Sequence, residues 1–343
     1  MDQLWLWGAF NAFVLAMLAL DLFVFHREAH EVTSAEAAVW SALWVALALT
    51  FGAGVYVFAG RDAGLEYFTG YVIEKALSVD NIFVFVLIFG HFRVPPQYQH
   101  RVLFWGILGA LVMRGGMIAG GAYLIQQFHW IIYVFGAFLV FTGIRMATRM
   151  EHDIEPESSP AIRIVRRLLP VTAHYHGQHF FVRELVGGRQ RLVATPLFVV
   201  LTLVETTDLI FAVDSIPAIF AITQNTFIVY SSNVFAILGL RALYFLLADV
   251  IRRFHHLKLG LSVVLVFVGA KMLAADVYEI PTGVSLGVIL LVLTTSIATS
   301  WLWPQRVLPR AAAGPTSADP PDGEKLAEPS EAPPQTVERL PPR

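Results

Sequence analysis

The 343-residue chain contains no cysteine, which excludes a disulfide framework, a zinc–thiolate centre and a thiol redox relay together. Charge is also scarce. Asp, Glu, Lys and Arg make up 15% of the residues against 56% hydrophobic, where a soluble domain carries about a quarter charged. Apolar runs of about 18 or more residues recur along nearly the whole length, the mark of a polytopic helical membrane protein. No cleavable leader is expected: the first apolar run follows "MDQ" and passes into "DLFVFHREAH" without a small-residue cleavage site. It reads as a first spanning helix. The sequence offers no nucleophile–base set, phosphate loop or cofactor motif, so neither an enzyme nor a resident cofactor is expected, and no nucleic-acid partner.

What is present is an all-α pattern of nine spans, near 3–25, 38–59, 68–91, 102–125, 130–147, 197–221, 228–249, 258–275 and 284–303. Residues 1–303 read as one transmembrane domain with a polar loop at 148–196. Residues 304–343, rich in Pro, Glu and Ala, cannot bury a core and read as a disordered cytoplasmic tail. Basic residues collect after odd-numbered spans: Arg27; Arg93 and Arg101; Arg163, Arg166, Arg167, Arg183, Arg189 and Arg191; Arg252, Arg253 and Lys258. After even-numbered spans there is only Arg61. The positive-inside rule then puts the N-terminus outside and the tail in the cytoplasm.

"FGAFLVFTGIRMA" (135–147) and "LSVVLVFVGAKMLA" (261–274) share L-V-F-x-G-x-[RK]-M, pairing Arg145 with Lys271. One span earlier stand Arg114 and Arg241; one earlier again, two acidic segments. Spans 3–5 (about 68–147) and 6–8 (about 197–275) therefore read as a duplicated unit. Three spans is an odd number, so the second copy lies upside down, an arrangement that secondary transporters use to build a midplane site. "VDNI" against "VDSI" would pair Asp80 with Asp214, whereas the spacing of the later spans favours Asp80 with Asp208.

"YVIEKALSVDNIFVFVLIF" (71–89) carries Glu74, Lys75 and Asp80, and "LVETTDLIFAVDSIPAIFA" (203–221) carries Glu205, Asp208 and Asp214. A charge at a helix centre costs about 2.5–3.5 kcal/mol on insertion scales, so these acids require compensation. Arg114 and Arg241 can pair with some, protons can neutralise others, and a divalent cation would answer the rest. Nearby donors are oxygens, from Ser78, Asn81, Thr206, Thr207, Ser215, Ser231, Ser232 and Asn233, which suits Mn²⁺, Ca²⁺ or Mg²⁺ rather than zinc or copper. The candidate metal set is Asp80, Glu205, Asp208, Asp214, Glu74, Asn81 and Ser215, of which Asp80, Glu205, Asp208 and Asp214 are expected to converge near the bilayer centre. Helical spacing puts Glu74, Ser78 and Asn81 on one face; Asp80 and Asp214 point elsewhere unless the helices unwind, and Pro217 supplies a cause for a break. The alternative is a purely structural buried charge network.

At "EKALSVDNIFVF" and "VETTDLIFAVDSIPAIFAIT…FIVYSSNVFAILGLRALYF" the chain resembles the TerC family, named for tellurium resistance, over residues 1 to about 303. "LALDLFVFHR" is similar as well, which brings in Asp21, either as a member of the cation site or as a further charge-pairing candidate beside Arg114 and Arg241. The resemblance implies a nine-helix protein of the bacterial inner membrane related to the LysE-type transporters, linked to tellurite resistance, alkaline-pH response and manganese efflux or supply. The expected partners are thus the lipid bilayer, protons and a transported cation, Mn²⁺ first, with homo-oligomerisation left open. A non-transporting membrane scaffold or regulator of metal or stress responses is the alternative. His174, His176 and His179 read either as a cytosolic metal-collecting tract or as solvated residues beside a β-hairpin turning at Gly187–Gly188.

Overall fold

A computed structural model of the chain describes residues 2–20, 33–148, 160–186, 189–248, 256–278 and 280–302. Asp21, Gly187, Gly188 and the tail from 304 lie outside the described residues. The long elements are α1 (Asp2–Leu20), α2 (Ser34–Phe58), α3 (Arg61–His91), α4 (Pro96–Gln127) and α5 (Ile131–Thr148). A short α6 (Pro160–Leu168) and a hairpin, β1 (Phe181–Val186) with β2 (Arg189–Ala194), follow. Then come α7 (Pro196–Phe220), α8 (Thr226–Leu238), α9 (Leu240–Leu247), α10 (Leu257–Leu273) and α11 (Thr282–Leu302).

Among the described residues, six helices are long and apolar enough to cross a membrane: α2, α4, α5, α7, the α8–α9 pair and α11. The apolar stretch of α1, Leu4–Leu20, is shorter. α10 has 17 residues, and α3 has 31 but carries the acidic segment. Large apolar side chains on these helices face outward, among them Val112, Phe141, Ile210 and Leu291, as expected where the surroundings are lipid tails rather than water.

The loop at 148–196 is not featureless. β1 and β2 pair antiparallel in register from Phe181–Ala194 to Val186–Arg189, so the hairpin read from its glycines is present and the fold is not purely helical. α6, which periodicity did not reveal because it spans little more than two turns, buries Ile162 and Val165 and exposes Arg163, Arg166 and Arg167. His176 lies 3.0 Å from Glu184 of β1. The Tyr175 hydroxyl donates to the Phe92 carbonyl at 2.8 Å, tying this segment to the end of α3. Burial pushes that phenol up to about 12, so it remains a donor at neutral pH.

Two sequence expectations about helix breaks are corrected. α7 runs unbroken through Pro217; near a helix end the missing N–H and the ring's clash one turn back disturb little that follows. The interruption falls instead in the expected seventh span, at Gly239 between α8 and α9.

Packing is closest between α5 and α10, which run antiparallel. A Cβ on Gly143 would lie 2.8 Å from the Ser262 carbonyl oxygen, and one on Gly269 would lie 2.8 Å from the Gly136 carbonyl oxygen. Gly143 and Gly269 are the glycines of the repeated L-V-F-x-G motif, and they serve as small residues that let two backbones touch in lipid. Gly269→Ala must therefore shift backbone, at about 1–3 kcal/mol. Gly287→Ala on α11, where a Cβ meets nothing within 4 Å, serves as control. A melting midpoint in detergent micelles that drops for Gly269→Ala and holds for Gly287→Ala is the expected result.

Candidate functional site

The centre of the bundle is organised by Arg114, from the middle of α4 and 2% exposed. Its Nη1 donates to Glu74 Oε1 of α3. Nη2 reaches Asp208 Oδ1 of α7 at 2.7 Å and Nε reaches Asp208 Oδ2 at 2.9 Å, a two-pronged grip on one carboxylate. Nη1 also approaches Ser215 Oγ and Asn233 Oδ1, each at 3.5 Å. Asn81 Nδ2 donates to Asp208 Oδ1 at 3.3 Å. Four helices thus meet at one guanidinium: α3, α4, α7 and α8.

Local periodicity explains how. Glu74, Ser78 and Asn81 recur at four and three residues and share the buried face of α3. Asp208 and Ser215 lie two turns apart on the buried face of α7. Ser231, Ser232 and Asn233 are fully buried on α8. Two hydroxyls read as donors from the sequence are engaged locally, with Thr206 donating to the Thr202 carbonyl and Thr207 to that of Leu203. Ser231 and Ser232 donate to Ile228 and Val229.

Of the seven residues expected in a metal set, the Arg114 cluster gathers Glu74, Asn81, Asp208 and Ser215. Glu205, half-buried, sits beside Asp208 and lays its carboxylate over Gly109 of α4. The other two are placed differently. Asp214 faces Thr142 and Arg145 of α5, and half-buried Asp80 is not among the partners of Arg114. The convergence of Asp80, Glu205, Asp208 and Asp214 expected from sequence is therefore not the observed arrangement: α3 and α7 do not unwind, and a straight helix cannot turn those acids to one side. Among the described residues no three His, Asp or Glu side chains are placed to hold a metal ion by themselves. Arg241 is 6% exposed on α9.

Two features of the cluster go beyond the sequence expectations. Asn233 belongs to the cluster itself, not to its surroundings. Moreover, several buried acceptors around it have no hydrogen-bond donor among the described residues: Glu74 Oε2, Asn81 Oδ1 and Glu205 Oε2, along with the Ser78 hydroxyl. Buried acceptors are normally satisfied, so a group of them calls for a specific explanation. On the cluster's flank, a cavity with room for about one water molecule is lined by Phe85, Leu103, Ile107, Val204 and Ile237 and reaches Asp208.

Comparison with known proteins adds the following. The profile of the integral membrane protein TerC family matches residues 59–308. The uncharacterized membrane protein STKORF319 of Myxococcus xanthus is 55% identical over 295 residues, covering 86% of this chain and 91% of that protein. Alx of Escherichia coli K12, named provisionally as a membrane-bound redox modulator, is 50% identical over 307 residues, 87% of this chain and 94% of Alx. An uncharacterized membrane protein of Rickettsia bellii is 40% identical over 294 residues, 86% and 96% of the two chains. No solved structure matches.

Proposed function

The chain belongs to the TerC family of integral membrane proteins, and from that premise we propose that it is a secondary transporter that exports a hard divalent cation, Mn²⁺ before others, in exchange for protons. The observation that carries this reading is the set of buried oxygens without donors around Glu74, Ser78, Asn81 and Glu205. A cation satisfies acceptors that no protein donor reaches. All are carboxylate, amide or hydroxyl oxygens, the ligands of Mn²⁺, Mg²⁺ or Ca²⁺. Arg114 is then the resting counter-charge of Glu74 and Asp208, and cation and guanidinium compete for the same carboxylates. Two carboxylates against one guanidinium leave a net negative site, with Glu205 beside it. That charge disfavours an oxyanion such as tellurite, so a tellurite phenotype would follow indirectly from metal balance.

Nine spans with two inverted triplets suit the packing. An in-plane two-fold axis relating α3–α5 to α7–α10 exchanges the α3–α8 and α4–α7 contacts and carries α3–α7, α4–α8 and α5–α10 onto themselves, and all five pairs are in contact. The Ile-Leu-Gly runs at 107–109 and 237–239 support it further. Glu205 covers Gly109, and Lys75 covers Gly239, so each copy lends an ionisable side chain to the other. That contact pairs Lys75 with Glu205, a register between the two weighed from sequence.

The protein sits in the inner membrane on this reading, N-terminus outside. A reporter inserted at Gly188 or fused after residue 303 is expected to be cytoplasmic, and one between 61 and 66 external; an external signal at Gly188 would overturn the topology. The transport reading is tested in proteoliposomes holding a Mn²⁺-responsive dye. Mn²⁺ should move on imposition of a proton gradient and stay put without protein. No protein-dependent flux would favour the second reading, a regulator in the manner suggested by the name of Alx. With no cysteine in the chain, such a regulator would act through metal supply and not through a thiol.

A further inference from the structure

Lys75 is not used by the cluster just described. It lies near the middle of the 31-residue α3, too deep to extend its ammonium to the membrane surface as a lysine near a helix end does. Among the described residues its Nζ makes one hydrogen bond, to the Ala236 carbonyl of α8 at 3.3 Å, and no carboxylate pairs with it. An ammonium has three donors, so this one is far from satisfied by its neighbours. Its position is particular: Ala236 is in the last turn of α8, immediately before the interruption at Gly239. The carbonyls of a last helical turn lack intrahelical partners and carry the negative end of the helix dipole. A Cβ at Gly239 would stand 2.8 Å from Nζ and 3.2 Å from Trp44 Cβ, so the missing side chain is what admits the ammonium. One turn earlier on the same helix, Asn233 faces Arg114.

We propose that the α8–α9 break is a cation seat, held in this structure by the Lys75 ammonium, and that a hard metal cation displaces Lys75 from it. In membrane transporters, broken helices present half-helix C-terminal carbonyls to coupling cations, and here a tethered cation already sits on one such carbonyl. The inference rests on the cation-transport reading above and adds a second seat one turn from the Arg114 cluster.

The test uses full-length protein purified in micelles and Mn²⁺ alone, with bound metal counted by electron paramagnetic resonance. Lys75→Met keeps the stem and removes the charge. It is expected to bind one more Mn²⁺ than the parent, or the same number at least tenfold more tightly, while Lys75→Arg stays at the parental value. In the unmodified protein, Mn²⁺ should raise the labelling of Lys75 by a small amine-reactive reagent severalfold, as read by mass spectrometry; this measurement does not depend on a variant folding. If the parent binds Mn²⁺ but neither Lys75→Met binding nor Lys75 labelling changes, the seat is refuted and the transporter reading survives. If parent and variants all fail to bind Mn²⁺, both fall.

Discussion

Replacing Arg114 with leucine is expected to remove most of the folded protein. Breaking a buried ion pair by deleting one partner costs about 3–5 kcal/mol, because the remaining charge is left uncompensated in a poor solvent. Here two carboxylates, Glu74 and Asp208, would be left at once, and the bonds to Ser215 and Asn233 would go with them. A stability of about 5–15 kcal/mol does not absorb that loss comfortably. The expected readout is a collapse of folded yield in micelles and a melting midpoint lower than for any other single substitution in the cluster. The triple variant Arg114→Leu, Glu74→Gln, Asp208→Asn, which removes the stranded charges along with the cation, should recover most of the loss. A single Arg114→Leu protein that melts like the parent would show that the guanidinium does not hold the four helices together.

The second large effect is expected on transport rather than on stability. Asp208→Asn keeps the shape of the side chain and its neighbour Asn81, and it leaves Arg114 paired with Glu74. The protein should fold. Mn²⁺ export in proteoliposomes should fall at least tenfold, which corresponds to about 1.4 kcal/mol or more of lost stabilisation, because the cation loses a carboxylate for which it competes with Arg114. Thr207→Ala is the matched control on the same helix. Its hydroxyl donates to the Leu203 carbonyl, so its loss should leave flux near parental. Asp214→Asn should be milder than Asp208→Asn, since Asp214 faces α5 instead of Arg114. Equal flux in Asp208→Asn and parent would return the acids to a purely structural role. An equal loss in Asp80→Asn would extend the pathway along α3 to Asp80.

That this is a helical membrane protein is legible in residue order alone. Apolar runs of bilayer length leave no other fold for the backbone polar groups, and the two acidic segments are too costly there to be incidental. Helical period alone put Glu74, Ser78 and Asn81 on one face, and Glu205 and Asp208 on another, but it also put forward Asp80 and Asp214, which the Arg114 cluster does not gather. Residue order also marked Gly143 and Gly269 through their repeated motif, and the hairpin through Gly187–Gly188. What those residues meet is set by the packing of one helix on another. That Arg114 grips Asp208 and Glu74 while Asp214 turns to α5 depends on the rotation of each helix about its axis, which neighbouring side chains set and a periodicity cannot reveal. The break at Gly239, and not at Pro217, has the same origin. Proline is tolerated where few ladder bonds remain to be lost, and the interruption falls at a glycine whose missing side chain leaves room for Lys75 and Trp44 from other helices.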